Sequence, residues 1–329
     1  MRDRHLYKIA FSLEKMVDGD ALFAGAIVGL VILGGFAVYL VLQAVPLLER
    51  QQAQAAFFQN LSAGLPSTAG QFYPNMRFTS PTVVYSFAQT CSSSKQQVVL
   101  DSFRILEHQT PLRFTTQGTP SFFINCANLE ISGDQADHFV AGEGGPSKTI
   151  NASTFYLIQV ANVSLYRDEM CDTPHIALHE VLHALGFDHT NNPQSIMYPV
   201  TDCAQTLDPS IPLELSRLYA IPSFGDLVLT DANVSIANGY LNFVATVANY
   251  GLADIMNATL VVEGDQKRTF TVGEIGIGKR KILSVDNIRT AAVEHVTFTL
   301  LTDQAELSVA NNQAVLTTKE SLNSGETSS

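Results

Sequence analysis

The residues from His179 to His189 read HEVLHALGFDH. His179 and His183 are four residues apart, so on a helix both imidazoles lie on one face, about one turn from each other. Such a pair can supply two nitrogen ligands to one tetrahedral Zn²⁺. Gly186 permits the left-handed backbone that ends a helix, and the chain can then bring His189 back as a third ligand. Three protein ligands leave the fourth position to water, which is the pattern of a catalytic zinc site.

Two further residues extend this motif. Glu180 is next to the first ligand and is badly placed to be a ligand itself, but it can reach a water on the metal and act as a general base. Met197 follows in the segment SIMYP, residues 195–199. A methionine at this distance from the third histidine resembles the Met-turn, which forms an apolar floor beneath the metal site. Together these residues resemble those of the metzincin metallopeptidases.

Among metzincins the resemblance is closest to the matrixins, because the third histidine and the Met-turn are close in sequence and Met-Tyr-Pro follows that family's habit. The resemblance covers roughly residues 70–220. It implies an α+β catalytic domain, a twisted sheet plus an active-site helix, with one catalytic zinc bound by His179, His183 and His189. It implies Glu180 as general base, Met197 as floor, and a polypeptide substrate that pairs with an edge strand. The sequence does not identify that strand.

The chain departs from the matrixin pattern in two places. We find no cysteine switch upstream of the domain. Val200-Thr201 stand where matrixins usually carry x-Tyr, so the resemblance does not assign the residues that form the primed-side wall of the substrate-specificity pocket. Matrixins also bind structural zinc and Ca²⁺, whose ligands we do not place here. Four residues are candidate ligands for such a structural metal, namely Asp134, Asp137, His138 and Glu143. The alternative is that these residues lie in a solvated polar loop and bind no metal. His175 lies four residues before His179, and we interpret it as helix surface.

The composition bears on partners and location. The formal net charge is −12, which argues against a nucleic-acid partner. Residues 21–48 contain no charged side chain and exceed the length needed to cross the ~30 Å hydrocarbon core. Basic residues are concentrated before this span, at Arg2, Arg4, Lys8 and Lys15. The positive-inside rule therefore predicts a single-pass protein of the cell membrane, with a cytoplasmic N-terminus and the remainder outside.

The cysteines agree with that topology, since all four lie on the predicted outer side. An even number in an exported domain favours disulfides, and three pairings are open. We predict Cys91–Cys126 and Cys171–Cys203. The second pair would join the segment before the active-site helix to the segment after the Met-turn, and both segments have to converge on the zinc in a metzincin-like fold.

These features divide the chain into six parts. They are a cytoplasmic N-terminus (1–20), a transmembrane helix (21–48), a stalk (49–74), the peptidase domain (75–222), a β-sandwich (223–318) and a disordered tail (319–329). Within the peptidase domain we expect a strand over Met76–Ala88, a helix over Ser94–His108, and strands at Leu112–Thr115 and Phe122–Cys126. We also expect a β-rich stretch over Ser153–Tyr166 and two more helices, one with Thr173 as N-cap and one over Leu213–Tyr219.

After Pro222 the pattern changes to short alternating runs separated by turn signals, which predicts an all-β, immunoglobulin-like sandwich. Three segments resemble CARDB-type adhesion modules: DLVL at 226–229, VANYG at 247–251 and ANNQA at 310–314. The resemblance implies a cell-surface or protein ligand for this domain, or a spacer role.

Two functions stay open. The first is a membrane-anchored extracellular zinc endopeptidase that hydrolyses peptide bonds with a zinc-activated water. The second is a cell-surface adhesion protein in which the metzincin-like domain is mainly a scaffold. The complete set of three histidines together with Glu180 favours the first.

Overall fold

The computed structural model describes residues 70–127 and 140–320, and for Lys319–Glu320 only the backbone. The predicted transmembrane helix (21–48) lies outside the described residues, as does most of the predicted stalk. Within the described ranges no helix is long and apolar enough to cross a membrane.

The part of the chain predicted to be the peptidase domain, called the peptidase part below, is built on a six-stranded sheet in the order β1-β6-β4-β2-β3, with β5 paired to β6. β5 is antiparallel to β6 along its full length, and every other pair in this sheet is parallel. β1 and β4 share the opposite edge of β6, so β5 is an edge strand. The strands are Met76–Phe78 (β1), Thr82–Phe87 (β2), Arg113–Thr115 (β3), Phe122–Cys126 (β4), Gly142–Ala152 (β5) and Phe155–Leu165 (β6).

Helix α1, Ser93–Gln109, covers the sheet near β2, β3 and β4. The Ser92 side chain caps its N-terminus by accepting a hydrogen bond from the Lys95 N–H. The buried face of α1 brings Phe103 onto Phe114, with stacked rings 3.9 Å apart, and edge-on against Phe122. Aromatic packing of this kind adds to the burial of apolar area and fixes α1 against the sheet.

Two helices complete the domain: α2, His175–Ala184, and α3, Ser210–Ala220. All ten residues of α2 are buried, so it is the central helix of the domain. The C-terminus of α3 is held by Arg77 of β1, whose guanidinium lies 4.4 Å from the Tyr219 ring centroid. Arg77 also donates to the carbonyl oxygens of Leu218 and Ile221, which satisfies carbonyls that the helix leaves open.

The secondary structure differs from the prediction in three places. The single strand predicted over Met76–Ala88 is two strands, because Ser80-Pro81 interrupts the ladder and β1 pairs with β6 while β2 pairs with β3 and β4. Strand β5 was not predicted at all, since its glycine-rich sequence lacks an apolar alternation. Lys319–Glu320, assigned to a disordered tail, forms a short strand that pairs in parallel with Ser235 and Ile236.

The C-terminal part is a β-sandwich of two four-stranded sheets, as predicted. One sheet has the order β10-β9-β12-β13 and the other β11-β8-β7-β14. The strands are Leu227–Ala237 (β7), Tyr240–Asn249 (β8), Ile255–Glu263 (β9), Lys267–Ile275 (β10), Arg280–Arg289 (β11), His295–Leu301 (β12), Gln313–Thr317 (β13) and Lys319–Glu320 (β14). Phe243 and Phe298, one from each sheet, meet edge-on in its core.

A separate apolar cluster joins the peptidase part to the sandwich. Phe155 and Leu157 of β6 pack there with Leu252 and Leu307 of the sandwich, and all four are buried. Close to it, the turn before β11 presses on the β5–β6 hairpin. A Cβ added to Gly278 would lie 2.5 Å from Ile150 Cγ2, so only glycine fits this contact. The hairpin that includes β5 is therefore held by both parts of the chain.

Candidate active site

The three histidines of the motif converge at one point. Helix α2 carries His179 and His183 on one face, and Gly186, with a φ of +99°, turns the chain so that His189 meets them. The Nε2 atom of His179 lies 2.9 Å from that of His183 and 3.2 Å from that of His189, and the third separation is 3.1 Å. Among the described residues this is the one group of three His, Cys, Asp or Glu side chains close enough to share a metal ion.

Backbone carbonyls fix which ring nitrogen carries the proton in two of these histidines. His179 Nδ1 donates to the Ile196 carbonyl at 2.6 Å, and His183 Nδ1 donates to the Phe187 carbonyl at 2.7 Å. Both rings therefore present an unprotonated Nε2 to the centre of the cluster. Burial lowers the pKa of His179 to about 4, with the nearby His183 adding to the fall, and burial also lowers the pKa of His183. Both imidazoles are neutral at pH 7.

These residues fit a zinc ion. Tetrahedral zinc with Zn–N bonds of ~2.0–2.1 Å places its nitrogen ligands about 3.3 Å apart, close to the separations of the three Nε2 atoms. The facing Nε2 lone pairs of His179 and His183 have no proton between them, so they repel each other unless a cation lies among the three rings. The donor set, three imidazoles with a free fourth direction, is the catalytic pattern.

Glu180 follows His179 in α2 and is 7% exposed. In the described part of the chain no donor makes a hydrogen bond to its carboxylate. Burial raises the pKa of Glu180 to about 8, and the charge of Glu143 adds to the rise. A bound cation would lower the pKa of Glu180, because it favours the charged carboxylate. The side chain is thus a poorly solvated carboxylate without a fixed partner, which suits a group that takes up and releases a proton.

Met197 is 2% exposed and lies in the segment that holds the histidines. Its carbonyl accepts a hydrogen bond at 3.0 Å from the N–H of Thr190, the residue directly after His189. The neighbouring Ile196 carbonyl accepts the hydrogen bond from His179 Nδ1. Ser195 Oγ in turn accepts from the Met197 N–H and donates to the Asp208 carboxylate. The Met-turn segment therefore fixes two of the three histidine positions through its backbone.

The structure joins Cys171 to Cys203 and Cys91 to Cys126, which are the two predicted pairs. The first bridge connects the segment before α2 to the segment after the Met-turn. The second connects the residue before the Ser92 cap of α1 to the end of β4. The Cys171–Cys203 bridge alone therefore closes the region from α2 to the Met-turn covalently.

The interpretation of His175 as helix surface is wrong, because the ring is 5% exposed. His175 Nε2 donates to the Gln205 carbonyl at 3.0 Å, and Thr173 Oγ1 lies 2.7 Å from Nδ1. Thr173 bonds this ring instead of the helix backbone, so it is not the predicted N-cap, and Pro174 occupies that position. Gln205 extends the network with donations to the carbonyls of Val200 and Pro193.

Sequence reasoning missed the role of β5. A Cβ added to Gly144 would lie 2.0 Å from the Glu180 carbonyl oxygen, and one added to Gly142 would lie 2.7 Å from Glu180 Cγ. The absence of side chains at these two positions lets the β5 backbone lie directly on α2 beside Glu180. The run AGEGG at 141–145 was the available signal, because glycine within a strand often marks a close backbone approach.

It also missed the segment before β1. Phe72 donates from its N–H to the Gly186 carbonyl at 2.9 Å, and its ring stacks on His183 with centroids 5.8 Å apart. The N–H of Asp188, next to His189, donates to the Gly70 carbonyl. A short antiparallel contact thus supports the turn between the second and third histidines, and nothing in the local sequence indicates it.

The candidate structural-metal residues have different outcomes. Asp134, Asp137 and His138 lie outside the described residues. Glu143 lies in β5 rather than in a loop, and its carboxylate accepts a hydrogen bond from the Tyr166 hydroxyl at 2.9 Å. No group of ligands for the implied structural Ca²⁺ is found around it within the described ranges.

Comparison with known protein families finds a match over the segment that carries the three histidines. The family model of the matrixins, Peptidase_M10, matches residues 77–214. Among solved structures, the CARDB domain of the PF1109 protein of Pyrococcus furiosus, in complex with di-metal ions, is 19% identical, with 30% of this chain and 89% of that chain covered and a TM-score of 0.25. A domain named as part of a cell surface protein of Methanosarcina acetivorans is 20% identical, with 30% and 94% covered and a TM-score of 0.26. No curated protein matches the sequence. The segment that carries the three histidines, residues 77–214, thus matches the matrixin family, as its motif predicted.

Proposed function

We propose that this protein is a membrane-anchored, zinc-dependent endopeptidase whose catalytic part lies outside the cell. The observation that carries the proposal is the convergence of the Nε2 atoms of His179, His183 and His189, with two of the rings oriented by backbone carbonyls. Glu180 beside them supplies a group able to exchange a proton. The match to the matrixin family over residues 77–214 supports peptide hydrolysis as the chemistry.

In this proposal His179, His183 and His189 hold the zinc. Zinc supplies a Lewis acid that lowers the pKa of water towards ~7 and polarises a carbonyl group. Glu180 accepts a proton from the attacking water through its carboxylate and then passes it to the leaving amine. The Ile196 carbonyl keeps His179 in the required tautomer throughout, and the buried Met-turn segment keeps water from the far side of the rings.

We propose that β5 is the substrate strand, that is, the edge strand of the protein with which the polypeptide substrate pairs. It is antiparallel to β6, its outer edge pairs with no described strand, and its Gly142 and Gly144 lie against Glu180. An extended polypeptide added to that edge would pass the three histidines with its backbone hydrogen-bonded to β5. Because such pairing uses backbone groups, it suits a polypeptide of varied sequence.

Metal content and hydrolysis test the proposal together. The purified protein should hold one zinc per chain and cleave a denatured protein, and phenanthroline should abolish the cleavage. Glu180→Ala should keep the zinc and lose several orders of magnitude in rate, because the base is removed and the ligands are not. Glu274→Ala, an exposed carboxylate in the sandwich, is the matched control and should leave the rate unchanged.

Two outcomes would contradict it. Full activity in excess phenanthroline would exclude a metal-dependent reaction. A Glu180→Ala protein that cleaves as fast as wild type, with zinc bound, would favour the adhesion alternative in which the peptidase part is a scaffold and the cleavage comes from a contaminant.

The substrate strand has its own test. A cleavable peptide can be N-methylated at one backbone nitrogen at a time. If the peptide pairs with β5, the losses in kcat/KM should alternate along the peptide, because alternate residues face the strand. Each lost hydrogen bond should cost about 3–10-fold. A uniform effect at every position would exclude β5 pairing.

The anchor and its orientation are proposed from the uncharged stretch at 21–48 and the basic residues before it. The two disulfides support a location in an oxidising compartment. Protease added to intact cells should remove the peptidase part and the sandwich and spare an N-terminal tag. Protection of the whole chain would reverse the orientation.

A further inference from the structure

Four polar side chains meet at the end of the sandwich where β7 begins. The Glu306 carboxylate accepts from the N–H of Leu227 at 2.7 Å and from Asn312 Nδ2 at 2.9 Å. The Asp226 carboxylate accepts from Asn311 Nδ2 at 3.2–3.3 Å and from the N–H of Ser308. The two groups of contacts adjoin, because Leu227 directly follows Asp226 in the chain, and each carboxylate has an asparagine amide against it.

The amide oxygens of both asparagines are buried. Within the described residues, neither Asn311 Oδ1 nor Asn312 Oδ1 accepts a hydrogen bond. Asn312 is 6% exposed, so solvent does not reach it freely. The oxygen and nitrogen of one amide are about 2.2 Å apart, so Asn312 Oδ1 lies within about 5 Å of the Glu306 carboxylate. Unsatisfied buried oxygens of this kind are rare in native proteins and call for an explanation.

The charge of the cluster is also unbalanced. No basic side chain among the described residues forms an ion pair with Asp226 or Glu306. Burial raises the pKa of Asp226 to about 6, and burial raises that of Glu306, with the charge of Asp226 adding to the rise. Two half-buried carboxylates are therefore left without a balancing positive charge, and the charge of Asp226 acts unfavourably on Glu306. A water molecule would satisfy the amide oxygens but would not balance these charges.

We propose that Asp226, Glu306, Asn311 and Asn312 bind one hard divalent cation, and that Ca²⁺ is the ion they suit. Every donor atom is oxygen, two donors carry charge, and neither nitrogen nor sulfur takes part, which matches Ca²⁺ and not zinc. The four side chains offer six oxygens, and Ca²⁺ takes six to eight. Rotation about the broad χ2 of asparagine is enough to turn an amide oxygen towards the ion.

The ligands come from segments that the fold has to hold together. Asp226 precedes β7 of one sheet, while Glu306, Asn311 and Asn312 lie between β12 and β13 of the other. A cation here would tie the two sheets at the end where the chain leaves the peptidase part. Binding of the cation should therefore stabilise the sandwich. We expect a dissociation constant on the order of 10⁻⁴–10⁻³ M, as is usual for extracellular modules.

The test is Ca²⁺ stoichiometry on the full chain. Equilibrium dialysis with metal analysis should show one more Ca²⁺ per chain for wild type than for Glu306→Gln. Asp265→Asn is the matched control, since Asp265 is an exposed carboxylate that also accepts from a backbone N–H and a hydroxyl. Wild type and Asp265→Asn should also unfold several degrees higher with millimolar Ca²⁺, and Glu306→Gln should lose part of that rise.

A second variant keeps the proposal testable if Glu306→Gln fails to fold. Asn312→Asp adds a third carboxylate to the cluster. With a cation site, this variant should be less stable than wild type without Ca²⁺ but should bind Ca²⁺ at least 10-fold more tightly. Equal Ca²⁺ stoichiometry in wild type and Glu306→Gln, or an Asn312→Asp protein that Ca²⁺ does not rescue, would show that the cluster is a hydrogen-bond network only.

Discussion

The ring of His179 donates from Nδ1 to the carbonyl oxygen of Ile196 over 2.6 Å. One of the three converging imidazoles is therefore held by the residue that precedes Met197. The bond fixes both the tautomer and the plane of the ring, so the position of the Met-turn segment determines where one corner of the histidine cluster lies. Changes that loosen this segment should appear first as weaker metal binding.

Ser195→Ala should weaken zinc binding about 10–100-fold. The Ser195 hydroxyl is fully buried, donates to Asp208 and accepts from the Met197 N–H, so its loss frees the segment that orients His179. Competition with a calibrated chelator measures the change. Ser284→Ala, at an exposed site in β11, should leave the affinity unchanged. A Ser195→Ala protein with wild-type zinc affinity would show that the segment does not depend on this hydroxyl.

The two disulfides should be separable by their effect on the metal. They close loops of similar length, with separations of 32 and 35 residues, so replacing either pair by serine should lower the free energy of unfolding by about 3–4 kcal/mol. Loss of Cys171–Cys203 should also weaken zinc binding, because that bridge joins the start of α2 to the segment after the Met-turn. Denaturant unfolding and chelator competition measure the two effects. Equal zinc affinity in both double variants would contradict this prediction.

Gly144→Ala should lower kcat/KM at least 10-fold and destabilise the fold by about 1–3 kcal/mol. The added Cβ would lie 2.0 Å from the Glu180 carbonyl oxygen, so β5 has to move away from α2. Gly145→Ala is the matched control, because its added Cβ would meet nothing within 4 Å. The two variants differ by one position in the same strand. If they lose activity equally, the close approach of β5 to α2 is unimportant.

The metal-free protein should become less stable as the pH rises from about 6.5 to about 8. Folding raises the pKa of Glu180 from 4.5 to about 8, so the folded state binds more protons than the unfolded state between these values, and stability falls with pH. His179, whose pKa falls from 6.5 to about 4, acts in the opposite direction but only below 6.5. Above 6.5 the effect of Glu180 is therefore isolated from that of His179.

Denaturant unfolding in the presence of a chelator measures this dependence. Glu180→Gln should remove the fall between pH 6.5 and 8, and Glu143→Gln should move its end to lower pH, since the charge of Glu143 contributes to the shift. A wild-type stability that is flat across this window would show that Glu180 is charged in the metal-free fold.

The sequence predicted the site better than the sheet that surrounds it. The positions of His179, His183 and Gly186 follow from helix geometry within a few residues, which local sequence determines. His175 has the same spacing on the same helix, yet its environment depends on Gln205, thirty residues later, and it was assigned wrongly to the surface. Tertiary packing decides whether a helix residue is buried, and the spacing of residues along the sequence does not predict that packing.

Strand β5 shows the same difference in another form. Its sequence GEGGPSKTINA lacks the apolar alternation that predicts strands and has only two β-branched residues, Thr149 and Ile150. Glycines stand at three of its first four positions, and those at 142 and 144 lie against α2. Phe122–Cys126, with alternating burial, was predicted to the residue. The strand that lies against Glu180 was thus the one whose sequence pattern was least regular.

The small apolar cluster between the peptidase part and the sandwich determines how this protein can be dissected. Phe155 and Leu157 belong to the peptidase part, yet Leu252 and Leu307 of the sandwich cover them. A chain ended after Pro222 would expose these side chains to water and release the hairpin that carries β5. Dye binding and unfolding of such a fragment have to be measured before its loss of activity is interpreted as the loss of a substrate contact.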